Sequence, residues 1–120
     1  VSLPWGEYGK QIPGADSRTD GLSNTQAMAK AGSPAAKHVT ARRDGGFDDW
    51  YIPARAEFMA LYGNVPELFD KTGWHWTSTQ GSAVSAFGQD FGYGHSDWDI
   101  KDLERRVRAV RRIPLQHSNA

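Results

Sequence analysis

The fold class of this chain is decided by the stretch WHWTST, residues 74–79. Large side chains alternate there with polar ones, and this period of two is typical of a half-buried β-strand. Residues 84–93 carry aromatic side chains with interleaved glycines, which predicts a second strand with bulges. Residues 106–113 predict a final short or twisted strand. We therefore expect a small twisted antiparallel sheet in the C-terminal half.

Helical patterns precede this stretch. Ser23 or Asn24 can cap a first helix that Gly32 ends. A second helix is expected to follow, with Ser33 as its N-cap and Pro34 as its first residue. This second helix would direct three apolar side chains toward the core, namely Ala35, Ala36 and Val39.

The clearest helical pattern spans residues 53–62, with Pro53 in the first position and Gly63-Asn64 as the stop. Residues 66–69 predict one further helical turn. Because helices come first and strands follow, the sequence predicts an α+β fold. It would consist of two or three short helices packed on small twisted antiparallel sheets, with many loops.

The composition limits the classes of protein to which the chain can belong. Its 120 residues suit a single domain, 1–120, with 1–15 and 114–120 as extended arms. The 14 Lys and Arg balance the 14 Asp and Glu, so nucleic-acid binding is not expected. The absence of cysteine excludes disulfides, thiolate zinc sites and cysteine nucleophiles. No apolar run is long enough for a membrane helix, so membrane insertion is not expected.

The apolar residues are unusual in kind. Leu, Ile and Val together number 16, whereas Trp, Tyr and Phe number 14 and Gly numbers 13. A domain with so few aliphatic side chains must build much of its core from large rings. We expect Trp76, Phe87 and Phe91 to belong to that core.

Two acidic segments are candidates for calcium binding, and neither pattern favours it. The segment from Asp16 begins like a calcium loop, but Arg18 and Ala27 stand where the loop needs oxygen ligands. Four acids at 97–104 are expected to form a solvated loop facing the arginines that follow, namely Asp97, Asp99, Asp102 and Glu104. We therefore expect no cofactor and no metal.

The residues do not predict catalysis either. The four histidines fall on different elements without paired spacing, and no serine has the context of a nucleophile elbow. The six basic residues between 101 and 112 would be split between both faces of a strand, which argues against a nucleic-acid-binding face. We therefore expect a protein that is not an enzyme.

The stretch 74–98 has the composition of a recognition surface, because rigid aromatic rings stand beside small polar groups. Alternate members of the stretch must fill the core. Those expected to be exposed are Trp74, His75, Tyr93, His95 and Trp98. The candidate ligand-binding residues are Trp74, His75, Gln80, Gln89, Tyr93, His95, Asp97 and Trp98.

Four motifs in order carry a resemblance to a known family. They are DGLSNT at 20–25, GFDDWYIPARAEF at 46–58, WHWTST at 74–79 and RVRAVR at 106–111. On these motifs the chain resembles the Lcl C-terminal-type domain of phage tail-associated proteins and bacterial surface adhesins. That family is similar to C-type-lectin-like folds, which also include formylglycine-generating enzymes and phage tropism determinants. The likeness covers about residues 16–113.

The resemblance implies a strand at 74–79 in the sheet centre and a last strand that pairs near the N-terminal strand. It implies binding and not chemistry, because the formylglycine-generating relatives work through cysteines, which this chain lacks. The tripeptide and Trp-Asn-Asp motifs of calcium-dependent lectins are also absent. In tropism-type relatives, residues of the final sheet and its loops contact a host receptor, and 74–98 is the comparable region.

Two functions remain open at this point. The first is a binding module of a phage tail fibre, tail tip or surface adhesin that recognises a host-surface protein or glycan. The second is a structural virion protein, such as a capsid decoration or tail-assembly component, that uses the same fold as an interface block. Either function implies location in a virion or at a cell surface, other virion proteins as partners, and a homo-oligomer by analogy with phage tails.

Overall fold

The computed structural model describes residues 1–65, 67, 73–90 and 96–112. Within these residues the α-helices are α1 (Gly21–Lys30), α2 (Pro34–Thr40) and α3 (Arg55–Asn64). The strands are β1 (Ser2–Pro4), β2 (Trp74–Gln80), β3 (Ser85–Asp90), β4 (Ser96–Ile100) and β5 (Glu104–Arg106). The expected α+β class is confirmed.

The strands form one sheet in the order β1-β5-β2-β3-β4, so β2 lies at its centre, as expected. Strand β2 pairs antiparallel with β3, which pairs antiparallel with β4. Strands β2 and β5 run parallel, with His75 opposite Arg106, so the expectation of a purely antiparallel sheet is wrong. The register shifts between Trp76 and Gln80, which places the irregularity in β2.

Strand β2 is buried on both faces and not half-buried as its alternation predicted. On one face Trp76 joins a core with Met28 of α1 and Val39 of α2. On the other face the ring of Phe58 in α3 packs against His75, with ring centroids 6.1 Å apart. The polar positions tolerate burial because their hydroxyl groups donate to main-chain carbonyls. Thr77 Oγ1, for example, donates to Phe87 O at 2.7 Å.

The N-terminal segment is part of the core and does not form the extended arm expected for 1–15. The side chains of Trp5 and Ile12 are buried. Trp5 Nε1 donates to Thr77 O at 2.9 Å, and Trp76 Nε1 donates to Leu3 O at 2.9 Å. These reciprocal bonds attach the segment to the central strand. The second expected arm, 114–120, lies outside the described residues.

The ends of α1 and α2 follow from local sequence. Asp20 and not Ser23 caps α1, because Asp20 Oδ1 accepts a hydrogen bond from Ser23 N at 3.1 Å. Gly32 has a φ of +92° and ends the helix as expected. Ser33 caps α2 through Ala36 N at 3.1 Å, with Pro34 as the first residue, so that prediction is confirmed. The three predicted side chains of α2 are also buried, namely Ala35, Ala36 and Val39.

Helix α3 begins two residues later than the pattern predicted. Pro53 is not its first residue, and Ala54 is its N-cap. Because alanine has no acceptor, the side chain of Glu57 takes over the capping, and its Oε1 accepts from Ala54 N at 2.9 Å. The helical turn predicted for 66–69 lies almost wholly outside the described residues. In the part of the chain that the structure describes, no helix has both the length and the apolar character needed to cross a membrane.

The last two strands differ most from the sequence predictions. The acids expected in a solvated loop begin within β4, a strand that the pattern missed. The final strand predicted for 106–113 is shorter and earlier, because β5 covers Glu104–Arg106. Strand β5 pairs antiparallel with β1, which confirms the expected pairing with the N-terminal strand. Beyond it, Val110 forms an isolated bridge with Tyr51.

Candidate ligand-binding surface

Strand β4 carries the most exposed part of the predicted site and lies at one edge of the sheet. Two of its carboxylates turn back onto the strand. Asp97 Oδ1 accepts from Trp98 N at 2.8 Å, and Asp99 Oδ1 accepts from Ile100 N at 3.0 Å. These bonds support an extended backbone at residues whose own propensity for strands is low.

The register of β4 against β3 divides the predicted site between two faces of the sheet. Trp98 lies opposite Phe87, and Asp97 lies opposite Gly88. Because successive side chains of a strand point to opposite faces, Trp98 and Asp97 face opposite sides. The ring of Trp74 lies over Gly88, with one ring carbon 3.4 Å from where a Cβ would be, so it shares the face of Asp97. The side chains of the predicted single surface are therefore divided between two faces of the sheet, which meet at the β4 edge.

The face of Trp74 carries a shallow cleft of about 210 Å³, which we call the Trp74 cleft. The cleft is lined by Trp74, Asp97, Asp99 and Arg105, and also by Trp98, which lies between the two aspartates on the edge strand. Arg105 Nε donates to Asp99 Oδ2 at 2.8 Å, so these two charges compensate each other. Among the described residues Asp97 has no cationic partner. The cleft thus combines an indole ring, an ion pair and a carboxylate that no cation of the described residues compensates.

The opposite face of the sheet carries Trp98, which is 43% exposed. Its ring meets Phe87 edge-on, with centroids 4.6 Å apart, and Arg55 Cζ lies 3.8 Å from the Phe87 centroid. A Cβ at Gly81 would lie 2.5 Å from a ring carbon of Trp98, so the ring depends on glycine there. Ile100 lies two residues from Trp98 on β4 and so shares its face, and Met59 Sδ lies 3.8 Å from the hydroxyl of Ser96 on the same face. These exposed apolar side chains form the Trp98 strip: Met59, Trp98 and Ile100.

Three of the predicted ligand-binding residues are buried, namely His75, Gln80 and Gln89. The expectation that His75 is exposed is therefore wrong, because α3 covers it. Gln80 binds the N-terminal segment: its Oε1 accepts from Ile12 N at 2.8 Å and its Nε2 donates to Ile12 O at 2.9 Å. Gln89 Oε1 accepts a hydrogen bond from Ser96 Oγ and so joins β3 to β4. Strand alternation cannot distinguish such satisfied polar side chains from exposed ones.

The remaining predicted positions divide into two groups. Trp76 and Phe87 are buried, which confirms two of the three predicted core rings, and Trp74 is only half-buried. Two predicted contact residues, Tyr93 and His95, and the third core ring, Phe91, lie outside the described residues. The described part of the site is therefore Trp74, Asp97 and Trp98, together with Asp99 and Arg105, which the sequence did not assign to it.

The sequence also missed the role of Lys101, which it grouped with the arginines between 105 and 112. Lys101 is fully buried, and its Nζ donates to Gln80 Oε1 at 2.6 Å and to Lys10 O at 2.8 Å. Its Nζ also lies 4.8 Å from the centroid of the Trp5 ring. Burial lowers the pKa of Lys101 from 10.5 to about 8. Nothing in the neighbouring sequence indicates that this lysine is buried, because the residues around it include acids that are typical of exposed segments.

The acidic segments hold no metal-like arrangement in the described part of the chain. Asp20, which lies in the segment that begins like a calcium loop at Asp16, is the cap of α1. Within the ranges that the structure describes, no three or more His, Cys, Asp or Glu side chains come together as metal ligands. The predicted pairing of downstream acids with arginines is confirmed for Asp99 and Arg105.

No protein-family model and no curated protein matches the chain.

Proposed function

We propose that the chain is a non-enzymatic binding module of a phage tail or bacterial surface adhesin, which recognises a host-surface protein or glycan. In this proposal the α+β fold is of the C-type-lectin-like kind, and a homo-oligomer acts in the virion or at the cell surface. The observation that carries the proposal is the Trp74 cleft. The resemblance of four ordered sequence motifs to the Lcl C-terminal-type domain supports it.

The groups of the Trp74 cleft suit recognition of a sugar or of a polar peptide. An indole ring offers a rigid apolar face at little cost in conformational entropy. The carboxylate of Asp97 accepts hydrogen bonds, and the guanidinium of Arg105 donates them. A sugar presents both an apolar C–H face and a rim of hydroxyl groups, so one ring and two charged groups can bind it from adjacent sides.

A pair of substitutions in the cleft tests this function. We expect Trp74→Ala and Asp97→Ala each to lower binding of the labelled protein at least about tenfold, the equivalent of ~1.4 kcal/mol. Binding would be measured on a glycan array and, by flow cytometry, on a panel of intact bacterial cells. Tyr8→Ala is the matched control, because Tyr8 is an exposed ring (59%) outside the cleft lining.

A loss of binding in these variants must be distinguished from a loss of the fold. Each variant would be compared with the parent by circular dichroism and thermal unfolding before binding is measured. If folded Trp74→Ala and Asp97→Ala variants bind as the parent does, the cleft is not the recognition site and the proposal fails.

The Trp98 strip favours a second candidate function, a structural virion protein in a capsid decoration or tail assembly. Its exposed apolar side chains could anchor an interface, where tryptophan is a frequent energetic hot spot. In that case Trp98→Ala and not Trp74→Ala would abolish co-sedimentation of the labelled protein with phage particles. Equal co-sedimentation of both variants with the particles would count against this second function.

A further inference from the structure

Strand β4 ends the sheet, so among the described residues one of its sides has no neighbouring strand. Such an edge is a template on which another chain can add a strand through main-chain hydrogen bonds. The amides of Trp98 and Ile100 point to this open side, because Lys101 N donates to Val84 O and the alternation of an antiparallel pair then turns residues 98 and 100 away from β3. Each of these two amides donates to a side chain of its own strand. Both residues carry large apolar side chains, 43% and 46% exposed, which favour strand formation.

We propose that Asp97 and Asp99 keep the β4 edge closed against pairing with a second copy of the chain. Each carboxylate occupies the free amide of the residue that follows it, at 2.8 Å for Trp98 and 3.0 Å for Ile100. An added strand would have to displace both carboxylates before its own carbonyls could accept from these amides. The displaced carboxylates would then need new donors.

Charge strengthens this barrier when the partner is a second copy of the chain. Two β4 strands paired antiparallel about Trp98 would place Trp98 opposite Trp98. The same register would place Asp97 of each copy opposite Asp99 of the other, and like charges directly opposite each other destabilise a strand pair. The same two side chains therefore oppose self-association in two ways. They occupy the amides that an added strand would need, and their charges repel those of the second copy.

The ion pair with Arg105 holds one of these carboxylates without occupying the oxygen that blocks the edge. Arg105 Nε donates to Asp99 Oδ2, whereas Asp99 Oδ1 accepts from Ile100 N. Breaking the ion pair from the arginine side should thus leave the edge closed. Removing the carboxylates should open it.

The test compares self-association of the full chain and its variants by sedimentation velocity over a range of concentrations. We expect Asp97→Ala/Asp99→Ala to raise the weight-average mass to roughly twice that of the parent, as for a two-fold dimer, or higher. Asp97→Ala alone should give a smaller rise in mass. Adding Trp98→Lys to the double variant should return the mass to that of the parent, because the new charge lies on the same edge.

Two matched control variants distinguish the effect of the β4 edge on self-association from general effects of charge and stability. Arg105→Ala removes the ion pair and keeps both carboxylates, and Asp102→Ala removes a nearby exposed carboxylate that lies outside β4. Both should sediment as the parent does. The proposal is overturned if the folded double variant sediments as the parent does, or if Trp98→Lys fails to reverse its association. Amide hydrogen exchange checks the same point, since the Trp98 and Ile100 amides should gain protection only in the associated double variant.

Discussion

Glu57 Oε1 accepts a hydrogen bond from Gly21 N at 2.7 Å, and this bond joins the first turn of α3 to the first turn of α1. The same oxygen accepts from Ala54 N at 2.9 Å, while Oε2 lies 3.2 Å from the hydroxyl of Tyr51. Arg112 Nη2 lies 3.6 Å from Oε2. One partly buried carboxylate thus connects two helix starts and the C-terminal segment.

We expect Glu57→Ala to lower the free energy of unfolding by about 2–4 kcal/mol, because two main-chain donors lose a charged acceptor. Glu57→Gln should cost less, about 1–2 kcal/mol, since its amide oxygen can still accept while its charge is lost. Urea denaturation of both variants measures the difference. Equal losses for the two variants would show that the hydrogen bonds to this side chain are not what stabilises the junction.

Gly21 is required by the close approach of the two helix starts. A Cβ at this position would lie 2.5 Å from Ile52 O and 2.6 Å from Ala54 N, both main-chain atoms. We expect Gly21→Ala to destabilise the fold by about 1–3 kcal/mol through overpacking. Gly63→Ala is the control, because Gly63 lies within α3 and a Cβ there would meet nothing within 4 Å. It should stabilise by up to about 1 kcal/mol, and a loss of similar size in both variants would contradict this account.

The burial of Lys101 predicts a dependence of stability on pH. Its pKa is about 8 in the folded protein, compared with an ordinary value of 10.5. Between these two values the unfolded chain binds more protons than the folded one, so stability rises as pH increases. We expect the free energy of unfolding of the parent, relative to Lys101→Met, to rise by up to about 2 kcal/mol from about pH 8 to pH 10. A difference that stays constant over this range would show that Lys101 is not buried as described.

Gly81 controls the position of Trp98. Because a Cβ there would lie 2.5 Å from the indole ring, Gly81→Ala should displace that ring. The cost in stability should be below about 1 kcal/mol, since the ring is partly exposed and can move. The change would be seen in the indole N–H resonance of Trp98, assigned by its loss in Trp98→Ala. An unshifted resonance in Gly81→Ala would mean that the ring does not rest on this glycine.

The sequence predicts those parts of the structure that are determined locally. The Ser33-Pro34 start of α2 depends on a hydroxyl group, a ring and three neighbouring residues, so it could be predicted correctly. Strand β4 could not, because aspartate disfavours strands and its support comes from bonds that form only in the extended chain. The burial of Lys101 and Gln80 was also hidden, since their partners come from an N-terminal segment far away in sequence.

The candidate site also has features that local sequence predicts and features that depend on distant contacts. The stretch 74–98 contains its aromatic residues, and composition alone was enough to find them. Alternation along β4 separates Trp98 from Asp97, and the pairing of β4 with β3 decides which face of the sheet each of them occupies. The pairing of Arg105 with Asp99 was predicted, but the place of Arg105 in the cleft was not, because the sheet alone brings Trp74 beside this ion pair.

The reciprocal tryptophan bonds between the N-terminal segment and β2 have a consequence for the order of folding. They join residues 72 and 73 positions apart, Trp5 with Thr77 and Leu3 with Trp76. Contacts at such separation make the search for the native topology slow, because the intervening loop must be closed first. During synthesis the N-terminal segment must therefore remain without its partner until the second half of the chain has left the ribosome.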